Sequence, residues 1–315
     1  MKALWHKDTL HSEVRTTEDH IAHGQAIHLK TLYSQISLGT ELTIAQGNVP
    51  EELHDTMRVP YMEGDFIFPV KYGYSLVGEA VGTGALCHVM HPHQNECLVD
   101  PNDIFQIPDD IPPRRAILAS NLGTALTGIW DGAVQPGERI AIIGFGMIGS
   151  LLARIASAIP ATQVLIIETN VTRKKYAEQF GFKLLEDLGT VFTPFDIAFH
   201  TSGTQEGLQT AIDLVGLEGR VVEMSWYGRK AVTLDLGGEF HTLRKRIIGS
   251  QVSNIPGTMQ PGWDRRRRQK AVFRLLRDPA FDRHITHEVT LEEAAALFNQ
   301  WRTQPPEGLG YCIRY

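Results

Sequence analysis

The sequence predicts an α/β protein of two domains, a small β-rich barrel and a doubly wound parallel sheet. Three observations predict it. The first ~120 residues hold short apolar runs punctuated by glycine and proline. From about residue 121 onward, helical patterns alternate with apolar strands. Within that second stretch, residues 139–168 read RIAIIGFGMIGSLLARIASAIPATQVLIIE, which is strand, glycine turn, helix and strand in immediate succession.

In chain order, runs at 26–32, 75–82 and 97–99 read as strands of the first domain. Residues 118–132 read as a helix, and Pro136-Gly137-Glu138 as the turn into the second domain's first strand. Strands are predicted at 140–143, 164–167, 197–200, 220–224 and 247–250, with helices at 173–180 and 206–215 between the middle ones. Helices at 264–278 and 291–304 and a short strand at 311–315 close the chain.

At 315 residues the chain is long enough for two cores, and 43% hydrophobic with 21% charged residues is the composition of an ordinary globular protein. With 30 basic and 36 acidic residues the net charge is −6, so no general basic field recruits nucleic acid. The local exception, Arg265-Arg266-Arg267-Arg268, precedes a helical apolar stripe of Ala271, Val272, Leu275 and Leu276, and reads as a solvated helix face. No run approaches the ~18 apolar residues of a membrane span, and the N-terminus lacks a signal-peptide apolar region, so a cytoplasmic protein is expected. Three cysteines without a C-x-x-C argue against a disulfide framework.

Gly144-Phe145-Gly146-Met147-Ile148-Gly149 is a G-x-G-x-x-G turn in the context that gives this motif meaning. The first glycine allows the tight turn, the second lets the backbone approach a pyrophosphate, and the third lets helix and strand pack closely. The helix N-terminus offers unpaired N–H groups to phosphate. Glu168 ends the second strand, where a carboxylate accepts ribose hydroxyls and repels a 2′-phosphate, so NAD is predicted over NADP. Arg173 and Lys174 are the residues that an NADP reading would use.

Further marks carry a family resemblance: Leu38-Gly39-Thr40-Glu41, Gly73-Tyr74-Ser75, the run Val77-Gly78-Glu79-Ala80-Val81-Gly82-Thr83-Gly84, and the closing Gly310-Tyr311-Cys312-Ile313-Arg314. With the glycine turn, they make nearly the whole chain similar to the medium-chain dehydrogenase/reductase superfamily, the zinc alcohol dehydrogenase relatives. The resemblance implies a GroES-like β-barrel catalytic domain from residues 1–120 and 252–315, and a Rossmann dinucleotide-binding domain from 121–251. It places Thr201 and Ser202 over the adenosine ribose, Ser225 at the nicotinamide amide and Arg314 at the pyrophosphate. Residues 33–41 also look like the bacteriochlorophyllide dehydrogenase branch, but nothing else in the sequence identifies a tetrapyrrole pocket.

The departures concern metal. Catalytic zinc in such relatives needs three protein ligands. Here Leu38 stands for the cysteine and Tyr74 for the histidine, and the third position falls near 121–124, which holds neither acid nor thiol. Zinc is therefore not expected. A rival reading is a metal held by Cys87, His88, His91, His93 and Cys97, whose spacing matches no familiar zinc pattern.

Without zinc, a protein group must protonate the carbonyl oxygen that receives a hydride. The candidate catalytic residues are Thr40, Tyr74 and Glu41, with Tyr74 as acid or as a packing residue in the vacated metal volume, and Glu41 orienting Tyr74 or Thr40. The function expected is a zinc-independent NAD(P)(H)-linked oxidoreductase of a small alcohol, aldehyde or ketone. A quinone or enoyl reductase and a non-catalytic dinucleotide-binding protein are the alternatives. A homodimer paired through an edge strand at 232–236 is expected by analogy with relatives.

Overall fold

The computed structural model describes residues 1–18, 26–190 and 193–315, and the chain divides into two compact units, Met1–Ser120 with Gln269–Tyr315, and Asn121–Arg268. Residues 252–268 thus cluster with the second unit rather than with the first, which is where the sequence resemblance puts them. One reason is Arg268, whose Nη1 donates to Val252 O at 2.6 Å and to Thr127 Oγ1 at 3.1 Å. Of the four arginines, Arg265, Arg266 and Arg267 are exposed, and the Arg267 guanidinium covers the Trp263 ring at 4.2 Å. Among the described residues, no helix is long and apolar enough to cross a membrane.

The first unit is built on the ten-residue strand Ile27–Ile36, which pairs antiparallel with Leu76–Ala80, Glu96–Val99 and the C-terminal strand Tyr311–Arg314. A register irregularity between Thr31 and Tyr33 lets one strand serve several neighbours. A second sheet orders Ser12–Thr16, Lys2–His6, Val70–Lys71 and Glu63–Gly64. The helix Leu291–Trp301 begins in a capping box of Thr290 and Glu293 and buries Ala294, Phe298 and Trp301 against Leu4, Ile36 and Ile313. Each fully buried aromatic there contributes about 3 kcal/mol by area, enough to tie the two chain ends into one core. Arg115 adds a bidentate pair to Asp282, at 2.8 and 2.7 Å.

Two buried imidazoles are expected to make this unit acid-sensitive. His6, hydrogen-bonded to Ser12 Oγ at 2.7 Å, has its pKa lowered to about 3 by burial, with Arg302 and His93 adding to the shift. Burial lowers that of His88 to about 4. Both are depressed below the unfolded value, so each contributes stability that is complete above about pH 6.5 and lost as pH falls toward the folded pKa. Urea unfolding is expected to show stability dropping between about pH 6.5 and 5 by roughly 1 kcal/mol per pH unit for each imidazole. A flat profile over that range would show that neither is held neutral.

Among the described residues, the second unit carries six parallel strands: β1 (Arg139–Ile143), β2 (Gln163–Ile167), β3 (Lys183–Leu184), β4 (Phe195–His200), β5 (Val215–Glu223) and β6 (Arg246–Gly249). Their order is β3-β2-β1-β4-β5-β6, so the connection direction reverses on either side of β1. Ligands bind beyond the carboxyl ends of strands at such a reversal. Helices α1 (Met147–Ser157), α2 (Val171–Gln179) and α3 (Gln205–Leu214) follow β1, β2 and β4. The predicted strand at 232–236 does not form. Thr233 N and Asp235 N donate instead to the Gln205 and Gln209 side-chain oxygens, at 2.9 and 2.8 Å, and the sheet ends at β6.

Candidate active site

In the second unit, β1 runs into the glycine turn, and each glycine has its own steric reason. Gly144 has φ +97°, and a Cβ there would meet the Ser202 backbone at 2.9 Å. Gly149 lies one helical turn later, where a Cβ would fall 2.0 Å from Gly144 O and 2.7 Å from Thr201 Oγ1. Gly146 caps α1, and a Cβ there would come no nearer than 3.9 Å to Arg173 Nη1. Two glycines are required by packing, while the third leaves room beside a helix N-terminus whose first N–H groups have no intrahelical partner. That cradle fits a dinucleotide pyrophosphate.

The neighbouring residues divide into braces and presenters. Phe145 is fully buried, edge-on to Phe180 and Phe182, while its N–H donates to Glu168 Oε2 at 2.6 Å. Glu168 Oε1 accepts from Thr169 N and Asn170 N at 2.7 and 2.8 Å, which fixes the carboxylate beside the turn with lone pairs to spare. Met147 and Ile148 form the first turn of α1. Thr201 is a brace, with Oγ1 donating to Gly144 O at 2.8 Å. Ser202 Oγ pairs with His200 Nε2 at 2.7 Å, and Ser225 Oγ accepts from Gly203 N at 3.1 Å.

In the first unit, residues Leu38–Ala45 form a helix with Ser37 at its N-cap. Helical spacing brings Glu41 back over Ser37, so Glu41 Oε1 accepts from Ser37 N at 2.8 Å. Its other oxygen meets His93 Nε2 at 2.8 Å, in a pair with 1% and 0% of the two side chains exposed. His93 Nδ1 continues to Ser34 Oγ at 2.8 Å, and Ser34 to the Tyr315 hydroxyl at 2.9 Å. The half-buried Tyr74 donates its phenol proton to Ser37 Oγ. Burial pushes that phenol up to about 12, with the Glu41 carboxylate adding to the push and hydrogen bonds from Ser37 and Thr40 opposing it. The expectation that Glu41 orients Tyr74 or Thr40 directly is thus corrected: its oxygens are committed to Ser37 N and His93, and Ser37 is the phenol's partner.

Arg314 lies in this unit too, exposed and paired with Glu288 Oε1 at 3.0 Å. The Cys/His cluster does not converge. His88 Nε2 faces Ser75 Oγ at 3.1 Å, His91 stacks on Tyr61 at 5.0 Å, and His93 is held by Ser34 and Glu41. Among the described residues, no group of three or more His, Cys, Asp or Glu side chains is placed to hold a metal ion.

Comparison with known proteins supplies a frame for these units. No protein-family model matches the chain. Among curated relatives, the 2-dehydro-3-deoxy-L-galactonate 5-dehydrogenase of Pseudoalteromonas atlantica is 24% identical over 169 residues, covering 50% of this chain and 49% of the relative. The D-guloside 3-dehydrogenase of Escherichia coli is 24% identical over 196 residues, covering 58% and 56%. The chain spans about half the length of the curated relatives it matches. In structure it is similar to the 2R,3R-butanediol dehydrogenase of Bacillus subtilis, with TM-score 0.78 at 17% identity over 100% of this chain and 99% of the other. The galactitol-1-phosphate dehydrogenase of Escherichia coli gives TM-score 0.78 at 16% identity over 100% of both chains.

In fold, the chain is similar to these dehydrogenases over its whole length.

The positions to which the sequence resemblance assigns catalytic zinc carry an unusual donor set. Leu38 is an apolar side chain packed beside the Leu4 and Phe298 core, and it cannot coordinate. The Tyr74 phenol keeps its proton and spends it on Ser37. Residues 121–124, Asn-Leu-Gly-Thr, add no thiolate, imidazole or carboxylate. These residues do not fit a catalytic zinc ion.

The sequence does not single out Ser37, Ser34 and Tyr315 in the first unit, or His200 and Tyr227 in the second; Glu223 it places, with Met224 and Ser225, at the end of a strand by the nicotinamide amide. Signals existed for some. His200 and Glu223 end apolar runs with a polar side chain, whereas Glu41 falls four residues after Ser37, one beyond the spacing of a capping box.

Proposed function

We propose that this chain is an NAD(H)-linked oxidoreductase that interconverts a small hydroxylated alcohol and its carbonyl without zinc, with Tyr74 as the proton donor. One observation carries the reading: the turn from Gly144 to Gly149 has its two packing glycines locked and the space at Gly146 left open at a helix N-terminus, the shape a pyrophosphate needs. Two curated relatives named as dehydrogenases of sugar-like compounds support the substrate class.

Bound nicotinamide would supply or accept the hydride. The chain's own residues do the rest. Gly146 with Met147 and Ile148 would bind the pyrophosphate, and Glu168, hydrogen-bonded by three backbone N–H donors, would accept ribose hydroxyls and repel a 2′-phosphate. Tyr74 holds a proton through the neutral range and releases it to an oxygen that becomes an alkoxide, a far stronger base than phenolate. Ser37, already hydrogen-bonded to the phenol, then stabilises the phenolate. In the oxidative direction the same proton returns to Tyr74.

The test is turnover of NADH across a panel of small ketones and aldehydes, and of NAD across polyols, with metal content measured on the same purified protein. Turnover without stoichiometric zinc, insensitive to chelator, is expected. Stoichiometric zinc lost together with activity would overturn the metal-free chemistry, and NADH binding without turnover on any substrate would replace the enzyme by a binding protein. Turnover confined to quinones or enones would reassign the substrate.

A further inference from the structure

The second unit contains a buried polar network that the reading above does not use. His200 and Glu223 are the last residues of the adjacent parallel strands β4 and β5, and they are register partners. His200 is fully buried, with Nδ1 2.8 and 2.9 Å from the two Glu223 oxygens. Glu223 also accepts from the Tyr227 hydroxyl at 3.0 Å and from Ser225 N at 2.7 Å. A carboxylate only accepts, so Glu223 keeps the His200 proton on Nδ1 and leaves Nε2 for the Ser202 hydroxyl, 2.7 Å away. Ser202 continues to Thr204, the N-cap of α3, at 3.0 Å. Two strand-end turns, 201–204 and 224–227, are thereby fastened to each other, with Gly203 N to Ser225 Oγ as a further tie.

Sheet order says which half of a dinucleotide such a clamp serves. Glu168 follows β2, on one side of β1, while β4 and β5 lie on the other. A dinucleotide laid across the reversal at β1 puts its adenosine half toward β2 and its nicotinamide half toward β4 and β5. We infer that His200, Glu223 and Tyr227 form a positioning network that holds the two turns in the geometry needed by the nicotinamide half of the cofactor. This revises the earlier expectation that Thr201 and Ser202 meet the adenosine ribose. The inference rests on the proposed dinucleotide function, and the network acts through the turns without touching the reacting atoms.

Glu223→Gln leaves the shape but replaces an acceptor by an amide donor opposite His200 and Tyr227. His200→Gln removes the ring, and Tyr227→Phe removes a single hydroxyl. Binding of NADH and of AMP, which carries only the adenosine half, is measured by calorimetry on the full chain of each variant. Glu223→Gln and His200→Gln are expected to weaken NADH about tenfold and Tyr227→Phe about threefold, with AMP changed by less than about twofold. Equal weakening of NADH and AMP would reduce the network to scaffold and overturn the inference, as would unchanged NADH affinity in all three. Should His200→Gln unfold the unit, Tyr227→Phe still decides, because the half-buried phenyl ring stays in place. A wild-type chain that binds neither ligand would overturn the functional reading along with this inference, whereas a wild type that binds both, with variants indistinguishable from it, sinks this inference alone.

Discussion

Replacing Tyr74 by phenylalanine is expected to lower kcat by about 100- to 10,000-fold, the range that a positioned general acid contributes, with NADH affinity unchanged within about twofold. The substitution keeps the ring and removes only the hydroxyl that meets Ser37. It therefore separates the two roles open to Tyr74 from the sequence. A residue that merely fills the volume of a missing metal site would tolerate phenylalanine with little change in rate. An acid would not. The phenol, pushed up to about 12, stays protonated throughout neutral and mildly alkaline solution. The wild-type reduction rate should consequently show no loss from this group until pH exceeds about 10, because it is the protonated form that acts. A rate that fell with an alkaline midpoint near 8 would point to another acid.

The glycine turn gives the second large effect, and a pair of variants isolates it. Gly146→Ala adds a methyl with no protein atom nearer than 3.9 Å, so folding stability should be unchanged. The same methyl occupies the approach to the helix N-terminus, and NADH affinity should fall by about tenfold or more. Gly149→Ala pushes a methyl to 2.0 Å from Gly144 O, a backbone atom that cannot swing away. It should cost about 1–3 kcal/mol of stability as well as cofactor affinity. Thermal unfolding and NADH titration of the two proteins check this. Normal NADH binding by Gly146→Ala would remove the pyrophosphate from the turn.

Much of the second unit was legible because its signals are local. The runs at 140–143 and 164–167, the glycine spacing and the terminal Glu168 specify strand, turn, helix and strand within one contiguous stretch, and the strands form there. The stretch at 232–236 misled for the same reason. Its alternation of apolar and polar residues resembles a strand, but the α3 glutamines Gln205 and Gln209 take its N–H groups before a neighbouring strand can. Site partners were less legible. The sequence suggests Tyr74 or Thr40 as the partner of Glu41, but the helix Leu38–Ala45 turns its carboxylate toward His93, which is 52 residues away in the chain.

By itself, then, the sequence determined the order of elements, the glycine turn that suits a dinucleotide, and the presence of a leucine and a tyrosine at positions 38 and 74. These depend on residue type and on spacing within about one helical turn or one strand, which any chain carries in its primary structure. Tertiary structure alone decided the partners: Tyr74 with Ser37, Glu41 with His93, His93 with Ser34, and His200 with Glu223. Those pairs depend on which strands become neighbours in the sheet and which face each side chain takes, and a buried polar atom must find its partner wherever the packed fold provides one.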